Sequence, residues 1–95
     1  MMEEKVLTLH PDGKSGVNIS RAKYDLMRET IVSVLGEQIE MTFTELGAEV
    51  GRRLEGRFDG SISWYYTTVK LDLEARGIVE RMDSRSPQRI RLAQG

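Results

Sequence analysis

The spacing of apolar positions changes along this chain, and each change marks an element. Lys5-Val6-Leu7-Thr8-Leu9 is a short β-prone run closed by His10-Pro11-Asp12-Gly13, whose proline and Asp-Gly pair are turn chemistry. Lys14 to Ile19 reads as a loop ending in Ser20, whose hydroxyl can accept from the free N–H groups of a following helix. From Arg21 to Leu35 the apolar residues Tyr24, Met27, Ile31, Val34 and Leu35 keep a helical period, and Gly36 offers a left-handed stop. Thr42 and Glu45 have capping-box spacing, so a second helix is expected from about Phe43, burying Leu46, Val50 and Leu54. Gly47 and Gly51 lie four apart within it, which suits either close approach of another backbone or a locally irregular helix. The polar, glycine-bounded segment Gly56 to Ser61 reads as a connection, with Asp59 or Ser61 as the next cap. A third helix then spans about Ile62 to Arg76, turning Ile62, Tyr66, Val69 and Leu73 inward, and Gly77 ends it. Residues 78–83 and 88–92 form two strand-like runs joined by the turn Ser84-Arg85-Ser86-Pro87, a β-hairpin.

At 95 residues, 39% hydrophobic and 31% charged, the chain suits a single globular core, with a strand and turn over 1–19 leading into the main unit at 20–95. No apolar run approaches the roughly 18 residues that cross a bilayer, and Met-Met-Glu-Glu-Lys lacks a signal-peptide core, so a cytoplasmic protein is expected. The absence of cysteine excludes disulfides, thiolate metal sites and a cysteine nucleophile. His10, the sole histidine, has no second ligand beside it and reads as a turn residue. With no His-acid constellation, phosphate-binding glycine loop or HExxH pair, neither an enzyme nor a cofactor is expected.

Charge is nearly balanced overall but not along the chain. Residues 1–50 hold five Lys or Arg against nine Asp or Glu, and residues 51–95 hold nine against six. The C-terminal half is therefore the side that could face a polyanion.

Helix, short strand, helix, turn, helix and β-hairpin is the order of a winged helix-turn-helix, and the local sequence agrees. Val69-Lys-Leu-Asp-Leu-Glu-Ala-Arg-Gly-Ile-Val-Glu-Arg81 resembles the end of the recognition helix and the first wing strand of bacterial transcriptional regulators. Thr42-Phe-Thr-Glu-Leu46 resembles the start of their second helix, so the likeness covers about Ser20 to Leu92. The His-Pro-Asp-Gly turn and the Trp-Tyr-Tyr-Thr-Thr stretch are also similar to those of an uncharacterised family of small bacterial proteins. The first resemblance implies an α+β, mainly helical fold and DNA binding, with the third helix in the major groove and the hairpin beside it. It would set Ser63, Trp64, Thr67, Thr68 and Lys70 against bases and phosphates, and Arg85, Arg89 and Arg91 against the backbone. Arg52, Arg53 and Arg57 could add phosphate contacts. Two features point elsewhere. Lys70 is the sole cation in the centre of the third helix and is set against Asp72 and Glu74, and Trp64-Tyr65-Tyr66 cannot all be buried on one face. The alternative is a protein-interaction module or homodimer that does not bind DNA. It would use Trp64 and Tyr65 for a protein partner; a second copy is expected on the N-terminal strand and first helix, which would set two third helices at half-site spacing, whereas a dimer covering the third helix would exclude DNA.

Overall fold

The computed structural model describes residues 4–82 and 88–93. Its order is β1 (Lys5–Leu7), β2 (Asn18–Ser20), α1 (Arg21–Glu37), β3 (Met41–Thr42), α2 (Phe43–Leu54), α3 (Ile62–Ala75), β4 (Val79–Arg81) and β5 (Arg89–Leu92). The chain is thus α+β, with three helices and two small antiparallel sheets among the described residues.

Each helix begins where the polar residues allow it to. Ser20 Oγ accepts the Lys23 N–H at 3.4 Å. Ser61, rather than Asp59, accepts the Trp64 N–H at 3.2 Å. At the head of α2, Glu45 N–H donates to Thr42 Oγ1 (3.0 Å) and Thr42 N–H donates to Glu45 Oε1 (2.9 Å), a complete capping box. Gly77 ends α3 at φ +76°, letting Ile78 N–H reach back to the Leu73 carbonyl. Gly36 does not end α1. It stays right-handed inside the helix, which stops when Gln38 turns extended toward β3.

The apolar stripes meet as expected from their spacing. Met27, Ile31, Leu46, Val50, Val69 and Leu73 are fully buried where the three helices converge, and Val79 and Ile90 seal the core from the sheet side. Burying a side chain of that size stabilises the fold by about 1.5–3 kcal/mol each. The hairpin expected over 78–83 and 88–92 forms over shorter spans, pairing Val79 with Leu92, Glu80 with Arg91 and Arg81 with Ile90. Its other neighbour is β3, giving the order β3-β5-β4. The expected turn, Arg85 included, lies outside the described residues.

The two helical glycines part company. A Cβ on Gly47 would lie 2.9 Å from Tyr66 Cε2, so α3 packs an aromatic ring directly onto α2 there, whereas a Cβ on Gly51 would meet nothing within 4 Å.

The N-terminal segment departs from expectation. The presumed loop before Ser20 contains β2, which pairs with β1 in the register Lys5 to Ser20, Val6 to Ile19 and Leu7 to Asn18. Gly16 makes this fold-back possible, because a Cβ there would sit 1.6 Å from the Thr8 carbonyl oxygen. The connecting turn is closed at His10, whose carbonyl accepts the Gly13 N–H (3.0 Å) and whose Nδ1 accepts the Asp12 N–H (3.1 Å).

Candidate docking face on the third helix

Asp72 fixes where α3 stands. It is fully buried, and its carboxylate accepts the Leu9 N–H at 2.8 Å, the Tyr24 hydroxyl at 2.5 Å and the Arg76 Nε–H at 2.9 and 3.0 Å. One side chain therefore ties together the end of the β1 segment, α1 and α3. Burial and the adjacent carboxylate push the Tyr24 hydroxyl up to about 12, so it stays protonated and donates. Sequence reasoning set Asp72 against Lys70 only as a charge. The signal for its role was its place three residues after the inward Val69 and four before Arg76, which puts a carboxylate within reach of a guanidinium at the edge of the apolar stripe.

Lys70 is corrected by the structure. It was expected on the open face, but it is 4% exposed. The residue lies four after Tyr66 and three before Leu73, so it shares the shoulder of the buried stripe. Its ammonium pairs with Glu74, donates to Gln88 Oε1 at 2.9 Å and sits 5.2 Å from the centre of the Phe43 ring. It is committed to the protein interior.

The other expected contact residues of α3 remain outward. Ser63, Trp64 and Thr67 are exposed and Thr68 is half-buried. The aromatic triplet resolves in sequence order: Trp64 is 47% exposed, Tyr65 is half-buried and Tyr66 is buried. Tyr66 donates its hydroxyl to the Phe43 carbonyl at 2.7 Å. Tyr65 packs edge-on between Phe58 and Trp64, at 5.1 and 4.9 Å between ring centres. Trp64 is thus held by an aromatic stack while nearly half of its surface faces solvent.

Two grooves flank this face. On one side Thr8, Leu9, Val17, Trp64, Thr68 and Leu71 line a shallow cleft of about 240 Å³ between the N-terminal segment and α3. On the other, Thr42 of β3, Phe43 and Thr44 of α2, Thr67, Lys70 and Leu71 of α3, Arg81 and Gln88 line an open groove of about 490 Å³. Leu71 is common to both, so the ridge of α3 between them is narrow.

Arg52, Arg53, Arg81, Arg89 and Arg91 are paired with carboxylates of the same chain. Arg89 pairs with Glu40 at 3.2 Å, and Arg91 donates to Glu80 at 2.5 Å across the hairpin. Arg81 lies 3.6 Å from Glu74. Arg52 and Arg53 grip Glu49 at 2.6 and 2.8 Å, and Arg53 also bridges to Glu37 at 2.7 Å, which places both beside the α1–α2 cleft and holds the Glu49 carboxyl down to about 2. Arg57 is exposed in the turn between α2 and α3. Arg85 lies outside the described residues. Among the described residues, no group of three His, Asp or Glu is arranged to hold a metal ion, and no helix is long and apolar enough to cross a membrane.

No curated protein matches this sequence. A family model described as "Family of unknown function (DUF6958)" matches residues 5–90, a span that takes in the N-terminal hairpin, all three helices and the start of β5. The chain belongs to that family.

Proposed function

We propose that this chain is a winged helix whose third helix docks a partner protein, acting as a binding module rather than a catalyst. The fold reading is supported by the order of elements from α1 to β5 and by the short β3 that joins the C-terminal hairpin just before α2. In that reading α3 is the recognition helix and β4–β5 the wing.

The observation that carries the docking reading is the charge arrangement around α3. Lys70 is buried against Glu74, and Arg89 and Arg91 are paired with Glu40 and Glu80, while Arg81 lies more loosely, 3.6 Å from Glu74. Nucleic-acid affinity comes mainly from cations that replace counterions at phosphates, and on this face Lys70 is withdrawn into the interior while Arg89 and Arg91 would first have to leave a carboxylate of their own chain. The outer face instead offers a half-exposed tryptophan, threonine hydroxyls and Leu71 between two grooves. Trp and Tyr at the centre of a patch, with charges removed to the rim, are the features that anchor protein interfaces.

The test is selection of binders from a displayed random peptide library on the wild-type chain, with Trp64→Ala as counter-target. Peptides that bind the wild type and lose about tenfold or more on Trp64→Ala support the reading, as does protection of Trp64 fluorescence from quenching in the complex. Binders that ignore Trp64 overturn it. Sedimentation of both proteins covers the competing occupant: a wild-type dimer that Trp64→Ala dissociates would make a second copy the partner.

A further inference from the structure

The groove on the β4 side of α3 has a chemistry of its own. Two cations, Lys70 and Arg81, share the single carboxylate of Glu74, whose side chain is 5% exposed, so among the described residues the groove floor carries an excess positive charge. Lys70 is fixed there by Gln88, but Arg81 is held only at 3.6 Å and its side chain is 47% exposed. That guanidinium can turn to a new acceptor at small cost. The head of α2 faces the same space. Of its first amides, Phe43 N–H is taken by the Gln88 carbonyl and Glu45 N–H by Thr42 Oγ1, while Thr44 N–H has no acceptor among the described residues. An open first-turn amide carries the positive end of the helix dipole. Thr44 and Thr67 line the walls, and Phe43 and Leu71 supply the apolar part. A bare anion would leave those two side chains unused, and an apolar chain would leave Arg81 and the Thr44 amide unanswered.

Building on the docking reading above, we infer that this groove takes an acidic residue of the partner protein with an aliphatic neighbour. The carboxylate is received by Arg81, the Thr44 N–H and the adjacent hydroxyls, and the aliphatic side chain lies between Phe43 and Leu71. Charge complementarity fixes the acidic half of the motif and the apolar wall fixes the other. The same partner crosses the α3 ridge at Thr67 and Leu71 toward Trp64.

The inference is tested by two-dimensional ¹⁵N–¹H NMR of the full chain titrated with acetyl-Leu-Asp-Leu-amide and, separately, with acetyl-Leu-Asn-Leu-amide and inorganic phosphate. The expected result is saturable movement of the Thr44, Leu71 and Gln88 amides with the Asp peptide, about tenfold weaker binding of the Asn peptide, and loss of the preference in Arg81→Gln. Arg89→Gln, paired on Glu40 outside the groove, should retain it. Equal binding of the two peptides, no movement of these amides, or a preference that survives Arg81→Gln overturns the carboxylate assignment. Phosphate that moves the same amides more strongly than the Asp peptide also overturns it, in favour of a simple anion site. None of these outcomes touches the docking reading, which is judged separately by the Trp64 selection.

Discussion

Replacing Asp72 by alanine should be among the most damaging single changes in this chain. The carboxylate is fully buried and is the acceptor for Leu9 N–H, Tyr24 O–H and Arg76 Nε–H. Without it, the Leu9 and Tyr24 donors lose their acceptor in the interior, at about 1–3 kcal/mol each. Arg76, whose side chain is 37% exposed, recovers water and adds only about 0–1 kcal/mol. Relief of the buried negative charge offsets part of the sum, leaving a net loss of about 3 kcal/mol. For a domain stabilised by about 5–15 kcal/mol that is a large fraction. In urea, with a slope of about 1–2 kcal/mol per molar for a chain of this size, the midpoint should fall by about 1.5–3 M at unchanged slope. Tyr24→Phe removes one donor and leaves Asp72 its other two partners, so it should cost only about 1 kcal/mol. Hydrogen exchange at Leu9 should accelerate in Asp72→Ala before the core amides do. A midpoint shift below about 0.3 M, or unchanged protection at Leu9, would refute the claim that this carboxylate ties the N-terminal segment to α3.

The two helical glycines give opposite expectations: Gly51→Ala should stabilise by up to about 1 kcal/mol through helix propensity alone. Gly47→Ala should destabilise by about 1–2 kcal/mol, because the Tyr66 ring it meets is pinned by its hydroxyl bond to Phe43 and cannot withdraw; thermal denaturation of both variants checks the contrast. Stability should also decline in strong alkali. The native Tyr24 hydroxyl is raised from 10.0 to about 12, so its contribution is intact below pH 10, fades as pH rises through 12, and should be absent from the pH dependence of Tyr24→Phe. At the acid end the sign reverses. Glu49 is lowered to about 2 by Arg52 and Arg53, so its contribution holds above the ordinary glutamate range and is lost as pH falls toward 2, a step that Glu49→Gln should lack in acid titration. Finally, Lys70→Met should keep a urea midpoint near wild type only in company with Glu74→Leu; alone it leaves the buried Glu74 carboxylate with the looser 3.6 Å contact to Arg81 and should cost about 2–3 kcal/mol.

The helices were legible in the sequence because the period of Tyr24, Met27, Ile31, Val34 and Leu35, the Thr42–Glu45 box and the Gly77 stop are local signals, each written within one or two turns. What escaped was set by distant parts of the chain. β2 has one buried apolar residue, Ile19, and no alternation to announce it; it exists because β1 and the Gly16 fold-back offer it a partner. Gly36 looked like a terminator, yet a glycine with open space around it fits a helix interior as well, and only the path to β3 decides. On α3, a single inward stripe underestimates the buried arc. Elements pack on both shoulders, so Lys70 and Asp72 are enclosed as well as Val69 and Leu73. The outward positions Ser63, Trp64 and Thr67 could be placed from spacing, but the pairing of Arg89 with Glu40 joins residues far apart in the chain and was invisible until the fold brought them together.

The most direct test of the central claim, that α3 presents a protein-docking face beside which Lys70, Arg89 and Arg91 are paired within their own chain, is a titration of a labelled random DNA duplex followed by fluorescence anisotropy. It would be run at about 20 mM and about 150 mM salt, with an Arg81, Arg89 and Arg91 to Ala triple variant beside the wild type. The account predicts no binding at about 150 mM salt up to roughly 100 μM protein, and at most weak binding at low salt that the variant does not abolish. Micromolar binding that weakens steeply with salt and disappears in the triple variant would contradict it and return the third helix and the hairpin to nucleic acid.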